Sequence, residues 1–205
     1  MRIAQILVGS MLNFSYVVYD EKNGTGAIID PSWDLQKILA ILDKNNITAK
    51  YIINTHTHFD HILGNDHIAE ITKAEIIQHE KSTQKKDRPV VDHENVNIGT
   101  VNLQVLYTPG HSEDSICLIV DNQFIITGDT LFVGNCGRVD LPGSNPGKMY
   151  DSLSKITKLD NSLVVYPGHN YGSTPTSTIL NEKTHNPMLN FKTKEAFVKY
   201  MTNEG

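Results

Sequence analysis

Cysteine is scarce in this sequence: Cys117 and Cys136 are the two in 205 residues, too few for a disulfide framework. No apolar run approaches the roughly 18 residues that a membrane span needs. The apolar start, Met1 to Val8, is broken by Gln5 and followed by no small-residue cleavage site, so a secretory signal is not expected and the cytoplasm is the expected location. A basic excess is also missing. With 18 Lys and Arg against 23 Asp and Glu, the net charge of −5 offers no footprint for a nucleic acid or an anionic membrane. There is no low-complexity segment and no linker, so residues 1–205 are expected to form a single domain of ordinary globular composition, 39% hydrophobic and 20% charged.

Against these absences stand nine histidines. Their placement follows the pattern of the chain. Ile3 to Val8, Phe14 to Tyr19 and Gly26 to Ile29 predict three strands in a meander. Ser32 is the expected N-cap of a helix carrying Leu35, Ile38, Leu39, Ile41 and Leu42, and Ala49 to Ile53 is the next strand. A helix over 65–72 and a strand through Glu75 to Ile77 follow. Residues 79–95 are polar without a clear period and predict a surface loop. Strands are expected at Val101 to Tyr107, Ser115 to Val120 and Phe124 to Ile126, then a helix with Met149, Leu153, Ile156 and Leu159, a strand at Leu163 to Val165, and helices over 176–183 and 193–201. Strands followed by helices in each half suggest two packed sheets with helices outside.

Four polar turns follow apolar strand runs in the same way. Ile52-Ile53 leads to His56, His58, Asp60 and His61; Val105-Leu106 leads to His111; Ile125-Ile126 leads to Asp129; Val164-Val165 leads to His169. If the strands end on a common edge, these turns converge over a rigid scaffold, where active sites are commonly built. Imidazoles with carboxylates suit zinc, and iron or manganese accept the same donors. Seven candidate ligands are too many for one tetrahedral ion and suit two ions sharing a bridge. Such ions generate hydroxide near neutral pH, so the expected reaction is metal-assisted hydrolysis.

His56-x-His58-x-Asp60-His61 with the separated His111, Asp129 and His169 resembles the ligand signature of the metallo-β-lactamase fold superfamily, over nearly the whole chain. The resemblance implies an α/β fold, a four-layer αββα sandwich. It implies His56, His58 and His111 around one metal ion, Asp60, His61 and His169 around a second, and Asp129 bridging, with Asp60 and Asp129 as the catalytic carboxylates. Within that superfamily, Thr127-Gly128-Asp129 through Val133, with Cys136-Gly137-Arg138, is similar to the glyoxalase II branch. That likeness implies a binuclear zinc thioesterase in which a bridging hydroxide cleaves S-acylglutathione thioesters such as S-lactoylglutathione. Arg138-x-Asp140 and Tyr166 to Tyr171 also resemble persulfide dioxygenases, which would use one iron at His56, His111 and Asp129. A metal-binding module without turnover is the third alternative.

The remaining polar residues carry weaker expectations. Arg138 could pair with a substrate carboxylate, and Tyr171 could pack or touch substrate, so both are candidate substrate contacts. His67, His79, His93 and His185 lack the strand-end context and are expected at the solvated surface. Cys117 and Cys136 are not expected to act as catalytic thiols.

Overall fold

A computed structural model describes residues 1–203. β1 (Arg2–Val8), β2 (Asn13–Asp20) and β3 (Thr25–Ile29) form the antiparallel meander. Helix α1 (Leu35–Lys44) then carries the chain back so that β4 (Thr48–Ile53) pairs parallel to β3. After α2 (Phe59–Ile62) and α3 (Asn65–Thr72), β5 (Glu75–His79) and the short β6 (Arg88–Val90) complete a six-stranded sheet in sequence order.

The second half repeats the plan. β7 (Asn95–Ile98), β8 (Val101–Tyr107), β9 (Ile116–Val120) and β10 (Phe124–Gly128) are antiparallel neighbours. A two-stranded ribbon, β11 (Leu131–Phe132) and β12 (Asn135–Cys136), precedes helix α4 (Pro146–Ile156). β13 (Val164–Pro167) returns parallel to β10, with β14 (Ser177–Thr178) on its outer edge. Helices α5 (Ile179–His185) and α6 (Lys194–Asn203) close the chain.

Side chains alternate across each strand, and here both faces are buried. Tyr16 and Val18 face the second sheet, where they meet Leu103, Val105 and Ile126, while Val17 packs outward with Ile28, Ile52, Ile38 and Ile68. On the far side Met149, Leu153 and Phe197 cover Ile119, Ile125 and Val165. The layers are therefore helix, sheet, sheet, helix, as the family resemblance implies.

Three local expectations are corrected. Ser32 does not cap α1: Trp33 takes a left-handed conformation (φ 50°), Asp34 precedes the first helical residue, and the Ser32 hydroxyl is buried without a partner. Residues 79–95 are not all loop, since Arg88–Val90 pairs parallel to β5 and β7 starts at Asn95. The start of the helix expected over 176–183 is the edge strand β14, and Thr178 caps α5 by accepting from Asn181 N at 3.1 Å.

The sheets are bonded to each other at both ends. At the end away from the histidines, Asp20 of β2 accepts from Thr100 N and Thr100 Oγ1, both at 2.8 Å, and from Asn23 Nδ2 at 2.5 Å. These donors, the Thr100 backbone first, hold its carboxyl well below the ordinary carboxylate value. A depressed folded-state pKa stabilises above the unfolded value, about 3.9, and that stabilisation is lost as pH falls through the folded one. The Asp20→Asn protein is expected to melt below the wild type at pH 7, with the gap closing below about pH 4; thermal melts across pH check this.

Candidate metal centre

All seven candidate ligands lie at one edge of the sandwich. β4 ends in the turn that delivers His56 and His58, and α2 presents Asp60 and His61. The β8–β9 turn delivers His111, and the residues just beyond β10 and β13 deliver Asp129 and His169. Cross-sheet bonds fix this edge: Ile116 N donates to Thr55 O at 2.7 Å and Phe14 N to Gly168 O at 2.8 Å. Among the described residues the donor atoms fall into three groups whose members lie within 4.8 Å of one another: His56, His58, His111; His56, His61, Asp129; and Asp60, His61, His169. Asp129 stands between the outer groups. Its Oδ1 is 3.4 Å from His61 Nε2, and its Oδ2 is 3.5 Å from His111 Nε2 and 3.3 Å from His169 Nε2.

The hydrogen bonds behind the rings decide which nitrogens are bare. His111 Nδ1 faces Arg138 O at 2.8 Å, His169 Nδ1 faces Met11 O at 2.9 Å, and His61 Nδ1 faces Asp30 Oδ2 at 3.0 Å. Each of these acceptors takes an Nδ1–H, which turns the Nε2 lone pair inward. Thr55 settles His56 in the same way. Its hydroxyl donates to Asp30 Oδ2 at 2.6 Å, so toward His56 Nδ1, 3.3 Å away, it can only accept. His56 Nε2 is then a bare, buried lone pair, and it and Asp129 Oδ1 are buried atoms without a hydrogen-bond partner.

Ring nitrogens also face each other closely. His58 Nδ1 is 2.8 Å from His111 Nε2, and His61 Nε2 is 3.2 Å from His169 Nε2. Buried acceptors facing acceptors are costly unless a cation or a proton lies between them. The surroundings favour positive charge at this point. Burial pushes His61 down, yet Asp129, Asp30 and Asp60 together hold its pKa up at about 9. Burial dominates at His56 and His58 and pushes both down, toward the neutral form that binds metal. The donor set, the orphaned atoms and the charge balance all fit divalent metal.

Two glycines allow the backbone to close on Asp129. A methyl group at Gly137 would overlap the Asp129 backbone oxygen, and one at Gly168 would overlap Asp129 Oδ1.

A sequence model of the family described as the metallo-beta-lactamase superfamily matches residues 9–85 and 78–169. The chain belongs to the metallo-beta-lactamase superfamily. Among superfamily relatives, the chain is 32% identical to the probable polyketide biosynthesis zinc-dependent hydrolase PksB of Bacillus subtilis, over 93% of this chain and 87% of that one. It is 35% identical to the hydroxyacylglutathione hydrolase of Francisella tularensis subsp. novicida, over 80% of this chain, and spans 66% of that relative's length. The crystal structure of ETHE1 from Myxococcus xanthus superposes with a TM-score of 0.94 at 30% identity, covering 100% of this chain and 92% of that one. The names of the two sequence relatives support a metal-dependent hydrolase.

Around this candidate centre the other residues take varied places. Arg138 supports the site with its carbonyl, through His111, while its guanidinium is exposed and paired with Asp140, Nε to Oδ1 at 2.6 Å and Nη2 to Oδ2 at 2.5 Å. The Arg138 fork thus already holds a carboxylate of its own chain, whose pKa it pulls down to about 2. Both line a cavity of about 550 Å³ with Cys136, Val139, Met188 and Met201. Tyr171, half-exposed, stacks on the His169 ring with centroids 4.6 Å apart. The cysteines are buried and unpaired, and burial pushes Cys117 up to about 11 and Cys136 up to about 12, so both stay thiols.

His67, His93 and His185 are exposed as expected, but His79 is buried and stacked on Tyr107 at 4.1 Å. It ends β5 directly beneath a ring supplied by the other sheet, a contact no local pattern announces. Sequence reasoning also missed Asp30, which holds both Thr55 and His61, and Asp114, which accepts from Thr57 Oγ1 and Ser112 Oγ and so ties the His56–His58 turn to the His111 turn. Asp30 had a signal: it too directly follows an apolar strand run, Ile28-Ile29.

Proposed function

We propose that this protein is a binuclear metal-dependent thioester hydrolase acting on S-acylglutathione-like substrates, with zinc as the favoured metal. The observation that carries it is the convergence of bare imidazole nitrogens and two carboxylates into two outer ligand groups with Asp129 between them. His56, His58 and His111 would hold one divalent ion and Asp60, His61 and His169 a second, with Asp129 beside both groups, and such ions would supply an activated water near neutral pH and polarise the thioester carbonyl.

The chain's own residues do the rest. Asp30, Arg138 O and Met11 O hold the rings of His61, His111 and His169 in the tautomer that presents Nε2, and Thr55 does so for His56. Hydrolysis replaces the C–S bond by C–O and releases acid and thiol. A thiolate departs without a dedicated acid, which suits a site whose carboxylates are all ligand candidates. Tyr171 lies over His169 at the surface, where it can flank the acyl or thiol portion.

Zinc-loaded protein is expected to hydrolyse S-lactoylglutathione, to lose that activity on chelation, and to lose about 10²-fold or more in the His56→Ala variant. Thioesterase activity of His56→Ala in metal-depleted buffer at the wild-type rate would overturn the proposal. A second reading, a mononuclear iron persulfide dioxygenase, draws on the resemblance of Arg138-x-Asp140 and Tyr166 to Tyr171 to such enzymes and on the likeness to ETHE1. Metal stoichiometry of protein purified without added metal, with oxygen uptake on glutathione persulfide, separates the two.

A further inference from the structure

We infer that Asn13 is the positioning residue of the Asp60–His61–His169 group, and that the indole N–H of Trp33 locks Asn13 in that role. The inference rests on the binuclear reading above. Asn13 opens β2 and is 1% exposed. Its Nδ2 donates to Asp60 Oδ2 at 2.8 Å and to Asp60 O at 3.2 Å. Its Oδ1 accepts from Trp33 Nε1 at 3.1 Å. Its backbone forms an isolated antiparallel bridge with His169. One residue thus touches two of the three members of the group.

The orientation of the Asn13 amide is dictated by its partners. An indole N–H can only donate and an ionised carboxylate can only accept, so a single orientation of the amide satisfies both. Turned over, the amide would set NH₂ against N–H and oxygen against carboxylate. Trp33 therefore controls which end Asp60 meets, although it touches no ligand itself.

Each member of the group has one brace behind it, and that of Asp60 is Asn13. His61 is braced by Asp30 and His169 by Met11 O, and among the described residues Asn13 is the donor that braces the Asp60 carboxylate. Asp60 Oδ2, the atom held, is also the one 3.5 Å from His61 Nε2 and 3.4 Å from His169 Nε2. A carboxylate oxygen has two lone pairs; one takes Asn13 and the other faces the imidazoles. The chain holds Trp33 in place at some strain. It is bulky with φ 50°, and Gly9 packs so close that a methyl group there would overlap the indole.

The test is a zinc titration against a competing chelator, read as zinc per chain, on wild type, Trp33→Phe and Asn13→Ala. Trp33→Phe keeps an aromatic ring and removes the N–H, so it decides the matter if Asn13→Ala does not fold. Both variants are expected to bind one ion with wild-type affinity and the other about 10-fold or more weakly, the size seen when a partner behind a metal ligand is lost. Because Asn13 acts through Asp60, the Trp33→Phe effect is expected to vanish in an Asp60→Ala background. Equal weakening of both ions, no weakening of either, or an effect that survives Asp60→Ala overturns the inference. A wild type that binds a single ion overturns the binuclear reading and this inference together; two ions in the wild type with unchanged variants overturns this inference alone.

Discussion

Replacing Asp129 by alanine is expected to lower kcat/KM for thioester hydrolysis by about 10³-fold, equivalent to about 4 kcal/mol of transition-state stabilisation, and to leave fewer than two ions per chain. The size follows from where the carboxylate lies. Both oxygens are within 3.5 Å of imidazole nitrogens belonging to the outer ligand groups, so its loss opens both at once. Burial opposes its charge, but His61 and His169 outweigh burial and hold the Asp129 carboxyl well below its ordinary value. Asp129→Asn, which keeps the shape and removes the charge, separates the two contributions. Steady-state kinetics and metal analysis on both variants check the expectation, and activity within tenfold of wild type in Asp129→Ala would remove it from the centre of the site.

Gly137→Ala is the second substitution expected to have a large effect, although it adds a single methyl group. That methyl would overlap the Asp129 backbone oxygen, and the next nearest atoms are the Asp129 carbonyl carbon at 3.0 Å and His111 Nδ1 at 3.1 Å. A flexible side chain could swing away; a backbone carbonyl cannot. The ribbon and the Asp129 turn must separate, at a cost of about 1–3 kcal/mol by the usual overpacking figures. His111 is bonded to Arg138 O, one residue along, so the same movement displaces a ligand candidate, and misplacement of about 1 Å is worth about 10²-fold in rate. Melting temperature and kcat/KM measured together check this; loss of stability without loss of rate would dissociate Gly137 from the site.

The convergence of the candidate ligands was legible because each lies in the turn after an apolar strand run, and strands of packed sheets end on a shared edge. The bracing behind it was mostly not legible. Asn13 looks like the polar start of a strand, and Asp30 before Pro31 looks like an ordinary turn; their roles exist only through residues 47 and 25–31 positions away. Ser32 resembles a cap until Trp33 turns left-handed behind it. β6 is three residues long and includes Pro89, too short to show any period, and owes its existence to the edge of β5. His79 has the local sequence of a surface histidine, and only Tyr107 from the opposite sheet encloses it.

The candidate ligands are divided between the two halves of the sandwich. His56, His58, Asp60 and His61 come from the first sheet's side, and His111, Asp129 and His169 from the second's. During synthesis the first four emerge together, but neither ligand group is complete until the chain has passed His111 for one and His169 for the other. A half-made protein would offer a passing ion only a loose grip. On the binuclear reading, tight capture would wait for the halves to dock, and ions that bind the native state and not the unfolded one would fasten the seam between them.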